Sequence, residues 1–319
     1  RLIRETKLDG GIITYEYDLA GNRTATTDAN GNRTTFTYDT INRLIKTTDP
    51  GGNSTNYAYD SEGNMTSMTI KDSSNNVLTS DTYTYDIYNR LTRTTHADST
   101  YTEQSYDALG NVLTKRDENG NITTFSYDVL NRLTSVTDPN TGITSYTYDR
   151  RNNLTSVTDA NLNITTYTYD SLSRLISTAS PDTGTTTYTY DANGNMITKR
   201  DANNIITTYV YDALNRQITI QFPDSTQNIN YYYDDTQLQN GKGKLTAMTD
   251  QSGTTWYDYD KIGRVAMETK KINNLYYRTE YSYDLNGNVS SITYPGGRKI
   301  SYTYNQLNKA TSIVETYLG

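Results

Sequence analysis

Rings and hydroxyls alternate along this chain. The stretch Ile143-Thr144-Ser145-Tyr146-Thr147-Tyr148 places an aromatic residue at every second position, with Thr or Ser between them. A period of two puts the rings on one face of a strand and the hydroxyls on the other. The arrangement recurs fourteen times, closing on Tyr17, Tyr38, Tyr59, Tyr85, Tyr106, Tyr127, Tyr148, Tyr169, Tyr190, Tyr211, Tyr233, Tyr259, Tyr283 and Tyr304. Two residues before each of these stands another ring, such as Tyr15, Phe36 or Tyr57; only Gln104 breaks the set. Nine of the thirteen intervals between the marker tyrosines are 21 residues, and the others are 26, 22, 26 and 24. A fixed period near twenty predicts a repeat architecture.

One repeat reads as two strands and two turns. Tyr127-Asp128 closes an aromatic strand, Val129-Leu130-Asn131 turns, and Arg132–Thr137 is a second strand rich in β-branched residues. Asp138-Pro139-Asn140-Thr141-Gly142 turns back into the next aromatic strand. Twenty-one residues leave no space for a helix. Four residues after the marker Tyr stands Gly or Asn in twelve of fourteen repeats, beginning with Gly21, Asn42 and Gly63; Ser173 and Gln237 are the exceptions. Both residue types tolerate a left-handed backbone, so a tight turn with positive φ is expected there. The Asp after the marker Tyr is expected to accept hydrogen bonds from the turn amides. The structural markers are therefore Tyr17 and Asp18, Tyr38 and Asp39, Tyr59 and Asp60, Tyr106 and Asp107, Tyr127 and Asp128, Tyr148 and Asp149, Tyr169 and Asp170, Tyr190 and Asp191, and Tyr211 and Asp212. The fold class that follows is all-β: a repetitive antiparallel β-hairpin ribbon curling into a solenoid or shell. About 28 strands at roughly 4.8 Å spacing give enough ribbon for about one turn of a modest spiral. Stacked repeats are expected to form ladders of rings and ladders of threonines.

Composition sharpens this picture. Leu, Ile, Val and Phe make up about 17% of the residues, a share usually found in disordered chains. A net charge of only −7 and 32 tyrosines argue the other way. Tyrosine is then expected to be the main core residue, in a thin core with polar edges. The absence of cysteine excludes disulfides, thiolate metal sites and a Cys nucleophile. No apolar run is long enough for a spanning helix, so membrane insertion is not expected. No basic stripe points to nucleic acid. The repeat runs through residues 1–319 as one segment, and Arg1-Leu2-Ile3 reads like Arg43-Leu44-Ile45 from inside a repeat. The expectation is a segment of a longer chain.

Enzymatic signals are poor. His96, the only histidine, reads as a solvated turn residue. Gly241-Lys242-Gly243-Lys244 lacks the spacing and hydroxyl of a phosphate loop. The turns at residues 28–32, 117–121 and 191–195 resemble the start of a calcium loop but lack its closing Glu, and read as Asx-type turns. No catalytic residue, metal or cofactor is expected. Three long repeats carry extra residues near Lys71–Ser80, Asp235–Lys244 and Lys270–Tyr276. Insertions of this kind map to loops. Lys242, Lys244, Lys261, Lys270 and Lys271 then suggest a local basic patch for an anionic partner.

The phrase Tyr-Asp-x-x-Gly-Asn-Arg/Leu-Thr-x-x-Thr-Asp-x-x-Gly, as at Tyr17–Gly31 and Tyr127–Gly142, resembles the YD-repeat or Rhs family over nearly the whole chain. That family includes bacterial Rhs and wall-associated polymorphic toxins, the B and C components of insecticidal toxin complexes, and animal teneurins. The resemblance implies a spiralling β-sheet shell, which in the toxins encloses a C-terminal effector and in teneurins is part of an extracellular adhesion receptor. The family's self-cleaving core carries an Asp-Pro-x-Gly-Leu/Trp motif. Asp49-Pro50-Gly51 and Asp138-Pro139-Asn140 do not match it, so these residues carry neither that protease nor an effector.

The function implied is a structural shell segment of a secreted or surface-exposed microbial protein. Its partners are other segments of the same longer shell, an enclosed effector, or neighbouring copies of itself. The alternatives are a self-associating extracellular fibre or adhesin, and binding of surface glycans through exposed tyrosines.

Overall fold

A computed structural model describes residues 1–318. Among them are 29 β-strands, no α-helix and one 3-10 turn at Ser225–Gln227. The chain forms two compact units: Arg1–Ser80 together with Ile229–Gly319, and Asp81–Asn228. The boundary at residue 80 falls inside the strand Val77–Tyr85.

Within each unit, consecutive strands pair antiparallel. In the second unit the strand Ile122–Tyr127 pairs with Leu133–Thr137, which pairs in turn with Ile143–Tyr148. In the first unit Arg33–Tyr38 pairs with Leu44–Thr48 and then Ser54–Tyr59 by the same rule. Thr, Ile, Val and Tyr fill these short strands, the residue types that suit a pleated, half-covered surface. The alternation expected from the sequence is present: along Ile122–Tyr127 exposure and partial burial alternate residue by residue, with Phe125 and Tyr127 on the covered face.

Both turns of the repeat are built alike. At the marker turn, Gly21 N–H donates to the Asp18 carbonyl while Asp18 N–H donates to the Asn22 carbonyl. At the second turn, Gly31 and Asp28 repeat the pattern with Asn32. Each is a tight turn ending in a left-handed residue. Positive φ is found at Gly21, Asn42, Gly63 and Asn131, and also at Ser173, which adopts φ 62° although it is neither Gly nor Asn. Hydrogen bonding of the turn, not the residue type alone, sets the conformation there.

A feature absent from the sequence reading accompanies every marker. The register slips by one residue between the marker Tyr and its predecessor: Ser126 faces Ser135, yet Tyr127 faces Leu133. The same β-bulge recurs at Tyr17 and at Tyr304, and at each marker between them. A bulge bends its strand and increases the local twist. Fourteen of them at a fixed position apply the same bend to every hairpin.

One expectation is refined and two need correction. First, the tyrosines form a thin, polar-edged layer in which most are half-buried. The fully buried residues are few and small, such as Ala25 and Thr246, and Tyr259 is the one tyrosine that joins them. A single sheet layer leaves no second layer to seal the rings. Second, the rings do not stack on one another from repeat to repeat. A strand lies between successive aromatic strands, so Phe125 faces Val136, Tyr146 faces Val157 and Tyr281 faces Ile292. Third, two of the three insertions are not loops. Met65–Lys71 and Val77–Tyr85, like Val265–Ile272 and Leu275–Tyr283, are lengthened hairpin strands. Asn273 and Asn274, both at positive φ, close the latter hairpin as a two-residue turn. Only the segment around Asp235–Lys244 forms a true loop.

Thr141 and Leu162 occupy the left-handed position of their turns at φ 69° and 66°. A side chain with a Cβ, and a β-branched one above all, is strained there. Both lie at exposed turn tips, so Thr141→Gly and Leu162→Gly are each expected to raise stability by about 1 kcal/mol. A rise in thermal midpoint for each variant checks this; a fall would show that the turn tolerates the side chain without strain.

Candidate functional site: the Tyr-Asp clip

The marker Asp organises its turn through both carboxylate oxygens. Asp128 Oδ1 accepts from the backbone N–H of Leu130 at 2.9 Å and of Arg132 at 3.0 Å, and Oδ2 accepts from Arg132 Nε at 2.7 Å. Asp149 does the same with Arg151 and Asn153, the side chain of Asn153 supplying the Oδ2 bond at 2.8 Å. The residue four after the Asp is therefore a working part of the site.

That residue alternates between two types, and each type reaches the next repeat in its own way. Arg132 Nη1 donates to the Asp149 carbonyl at 2.9 Å, and its guanidinium lies 4.9 Å from the centroid of the Tyr148 ring. Arg43, Arg90 and Arg174 repeat both contacts, donating to the carbonyls of Asp60, Asp107 and Asp191 and lying over the rings of Tyr59, Tyr106 and Tyr190. Where Asn stands instead, its amide donates to the side chain of the left-handed residue one repeat on: Asn22 to Asn42 at 2.7 Å, Asn111 to Asn131 at 3.0 Å, Asn195 to Asn215 at 2.9 Å. A planar guanidinium suits simultaneous pairing and stacking, whereas an amide suits a single relay bond.

The marker Tyr completes the clip by reaching backwards. The hydroxyls of Tyr17, Tyr38, Tyr59, Tyr106, Tyr148, Tyr190 and Tyr211 donate to the carbonyls of Leu2, Arg23, Leu44, Leu91, Leu133, Leu175 and Met196, each fifteen residues earlier, at 2.7–3.0 Å. Tyr127 and Tyr169 hold the same register, opposite Leu133 and Leu175. Asp, Arg or Asn, and Tyr thus bind each repeat to its neighbours through polar groups. The sequence signal for the missing member was present: Gly-Asn at 21–22, 63–64 and 110–111 alternates with Asn-Arg at 42–43, 89–90 and 131–132.

The electrostatics agree with the geometry. Asp18, Asp39, Asp60, Asp107, Asp128, Asp149 and Asp191 are held below the usual carboxylate range, chiefly by the side-chain donor four residues on. For Asp170 and Asp212 the backbone amide of that residue is the main cause. Burial pushes Tyr59, Tyr169, Tyr190 and Tyr211 upward.

Turns of the first unit also meet each other far along the sequence. Asn30 Nδ2 donates to Asp284 Oδ2 at 3.0 Å, and Asn286 Nδ2 donates to Asp28 Oδ2 at 2.7 Å. Lys7 Nζ reaches the Leu285 carbonyl at 3.4 Å. The chain thus returns to its own opening hairpins after about 255 residues, through the same Asx turns that close them.

The remaining candidates take different places. His96 opens a turn, as expected, its carbonyl accepting from Ser99 N–H, but it is half-buried rather than solvated, with Nδ1 3.1 Å from Asp81 Oδ1 and Nε2 3.5 Å from Glu118 Oε1. No nucleophile is among these contacts. The calcium-like turns spend their carboxylates internally, Asp28 on the amides of Asn30 and Asn32 and on two Asn side chains, and Asp117 on Asn121. The expected basic patch is divided. Lys270 and Lys271 are strand neighbours and point to opposite faces; Lys270 pairs with Asp250 at 3.2 Å. Gln104 takes the place of a ring and donates to the Leu91 carbonyl and to Tyr106 Oη. A cavity of about 320 Å³ lies beside it, lined by Thr94, Thr102, Gln104, Lys115 and Thr123 among others.

Residues 1–164 match the family model described as Teneurin YD-shell. The chain belongs to the YD-shell family. The model described as RHS Repeat also matches this YD-shell chain at residues 148–185, 169–205, 190–227 and 278–316. Among solved structures, that of TcdB2-TccC3 without its hypervariable C-terminal region is 16% identical with a TM-score of 0.52, over 96% of the YD-shell chain and 23% of that one. TcdB2-TccC3 with that region is 13% identical with a TM-score of 0.43, over 99% and 24%. The first of these supports the fold. The YD-shell chain spans about a quarter of the length of both. No curated protein matches it.

Two outcomes test the clip. Tyr148→Phe removes the donor to the Leu133 carbonyl and is expected to cost about 1 kcal/mol, read from denaturant unfolding; an unchanged midpoint would remove the hydroxyl from the account. The marker carboxylates have folded pKa values below their unfolded ones, so the unfolded chain binds more protons as acid is added. Their contribution is complete above about pH 4 and is lost as pH falls through the depressed values. The thermal midpoint is expected to stay level from pH 7 to pH 5 and to drop steeply below pH 4, and an Asp128→Asn variant is expected to drop less.

Proposed function

We propose that residues 1–319 act as one wall segment of a larger secreted or cell-surface YD-repeat shell, and that in the complete protein this wall surrounds and protects an effector. The observation that carries this reading is the clip itself. Its carboxylates close their own turns, and its amides, guanidinia and hydroxyls reach neighbouring repeats, so that their chemistry is spent on holding the wall. The segment contributes no catalytic group of its own. The same reading draws on a structural neighbour, TcdB2-TccC3 without its hypervariable C-terminal region.

A second reading has one specific observation in its favour. The strand Ala310–Tyr317 is exposed along its whole length and has Arg298–Tyr304 as its paired neighbour. An exposed edge is a template for another strand. In the shell reading a further segment of the same chain adds there; in a fibre, a second copy does.

Electron microscopy of the purified segment over a range of concentrations separates the two. Isolated curved walls that stay single at high concentration are the expected result. Filaments that disappear in an Ile313→Pro variant, whose N–H points away from the paired strand Arg298–Tyr304, would overturn the shell reading in favour of the fibre.

A further inference from the structure

One position on the ring face lacks its ring. Gln104 stands where Tyr83, Phe125 and Tyr146 stand in other repeats. It faces Lys115 across the sheet, whereas Phe125 and Tyr146 face Val136 and Val157. Lys115 in turn faces Thr123, and Thr94 faces Thr102, which shares its strand face with Gln104. These residues lie on four consecutive strands of the second unit, Leu91–Thr95, Tyr101–Tyr106, Val112–Arg116 and Ile122–Tyr127. An amide side chain covers less of the sheet than a phenol ring, and the cavity of about 320 Å³ opens beside it. The groups around this cavity are unspent. Gln104 uses its amide nitrogen on the Leu91 carbonyl at 2.9 Å and on Tyr106 Oη at 2.8 Å. A carbonyl only accepts, so the Leu91 bond fixes which way the amide points and leaves Oε1 as an open acceptor. Among the described residues, Lys115 has no carboxylate partner, and the hydroxyls of Thr94, Thr102 and Thr123 have no hydrogen-bond partner.

The open groups select the ligand. Lys115 is the cation on this face, with Nζ 5.9 Å from the centroid of the Phe125 ring. The other charges of the lining are committed. Arg116 donates to the carbonyls of Tyr101 and Asp117, Arg93 lies 3.5 Å from the centroid of the Tyr101 ring, and both face Glu103 on the hydroxyl face of the sheet. Asp117 accepts from the backbone N–H and the side-chain amide of Asn121, both at 2.8 Å. Arg93, Lys115 and Arg116 against Glu103 and Asp117 leave the lining with one positive charge, which matches a single negative one. A carboxylate accepts from an ammonium and from hydroxyls together, whereas a phosphate dianion would keep a charge unpaired. Gln104 Oε1 in addition calls for a donor on the same ligand, such as a hydroxyl or an amide. A volume at the lower end of the range of ligand cavities suits a small molecule or one side chain rather than a polymer.

We propose that the gap at Gln104 is a binding site for a carboxylate carrying one negative charge, with Lys115 on the carboxylate and Gln104 Oε1 on a donor group of the same ligand. The site lies within one unit, so it stands whether the complete protein is a shell or a fibre. The repeat itself supplies the variants that test it. Gln104→Tyr restores the ring of the other repeats, and Lys115→Val restores the residue that faces Phe125 and Tyr146. Both are expected to leave the thermal midpoint unchanged or raised, because each brings the strand back to the pattern of its neighbours. Saturation-transfer NMR of the purified chain is followed during titration with glycerate, 3-hydroxybutyrate and N-acetylserine as free acids, and with acetyl-Gly-Glu-Gly-amide as a peptide source of the same group. Each is measured beside its neutral amide. At least one acid is expected to bind saturably below about 10 mM, and about tenfold more tightly than its amide. Tighter binding of a free acid assigns the site to a small metabolite, and tighter binding of the peptide assigns it to an acidic side chain of a partner; both uphold it. Gln104→Tyr and Lys115→Val are each expected to weaken binding about tenfold or more. Far-ultraviolet circular dichroism confirms that each variant is folded, and either one alone carries the test. No saturable binding of any acid overturns the proposal. So does equal binding of acids and amides, or binding that is unchanged in a folded Gln104→Tyr or Lys115→Val variant.

Discussion

An ionised carboxylate inside a tight turn is the interaction on which this wall depends. A β-turn leaves backbone N–H groups without partners, and in a thin sheet little else is close enough to satisfy them. The Asp after a regular marker tyrosine takes two of these amides on one oxygen and a side-chain donor on the other, as Asp39 does with Ile41 and Arg43; after Tyr304 it is Asn305 that takes the two amides. The second turn uses the same device, as Asp49 does with Asn53. Each bond is worth little by itself, since folding exchanges it for water. Repetition makes the sum large, and the cost of leaving turn amides bare is avoided wherever an Asp opens the turn.

A wall one layer thick cannot rely on a sealed core. Its stability accumulates from neighbour to neighbour, as in other repeat arrays. The Arg and Asn clips make that coupling explicit. Arg174 ties its own Asp170 to the carbonyl of Asp191 and covers the Tyr190 ring, while Asn195 passes the link on to Asn215. The repeats thus work in pairs, with a charged connection and a neutral one in alternation. The contact of Asn30 and Asn286 with turns about 255 residues away adds a second direction of coupling within the first unit.

The grammar lapses at a few places. A regular repeat spends its polar groups on its neighbours and has few left over. Trp256 and Tyr276 on the hydroxyl face, Gln104 in a ring position and His96 between two carboxylates are places where its residue types change.

The sequence by itself determined the strand content, the two turns per repeat and the position of the left-handed residue, because alternation and turn chemistry act within a few residues of each other. Tyr146-Thr147-Tyr148 followed by Asp149 is enough to place a ring face, a hydroxyl face and a bend. It also carried the Gly-Asn and Asn-Arg alternation, whose meaning could not be read without knowing which side chain lies one repeat away. Only the tertiary structure decided the bulge at each marker, the backward bond from Tyr148 to Leu133, and the mixing of rings with Val and Ile across the sheet. It also turned the insertions at Lys71–Ser80 and Lys270–Tyr276 into longer strands and sent Lys270 and Lys271 to opposite faces. The physical reason is range: a turn is closed by neighbours in sequence, whereas register, face and ring partners are set by strands that meet only after the ribbon has folded.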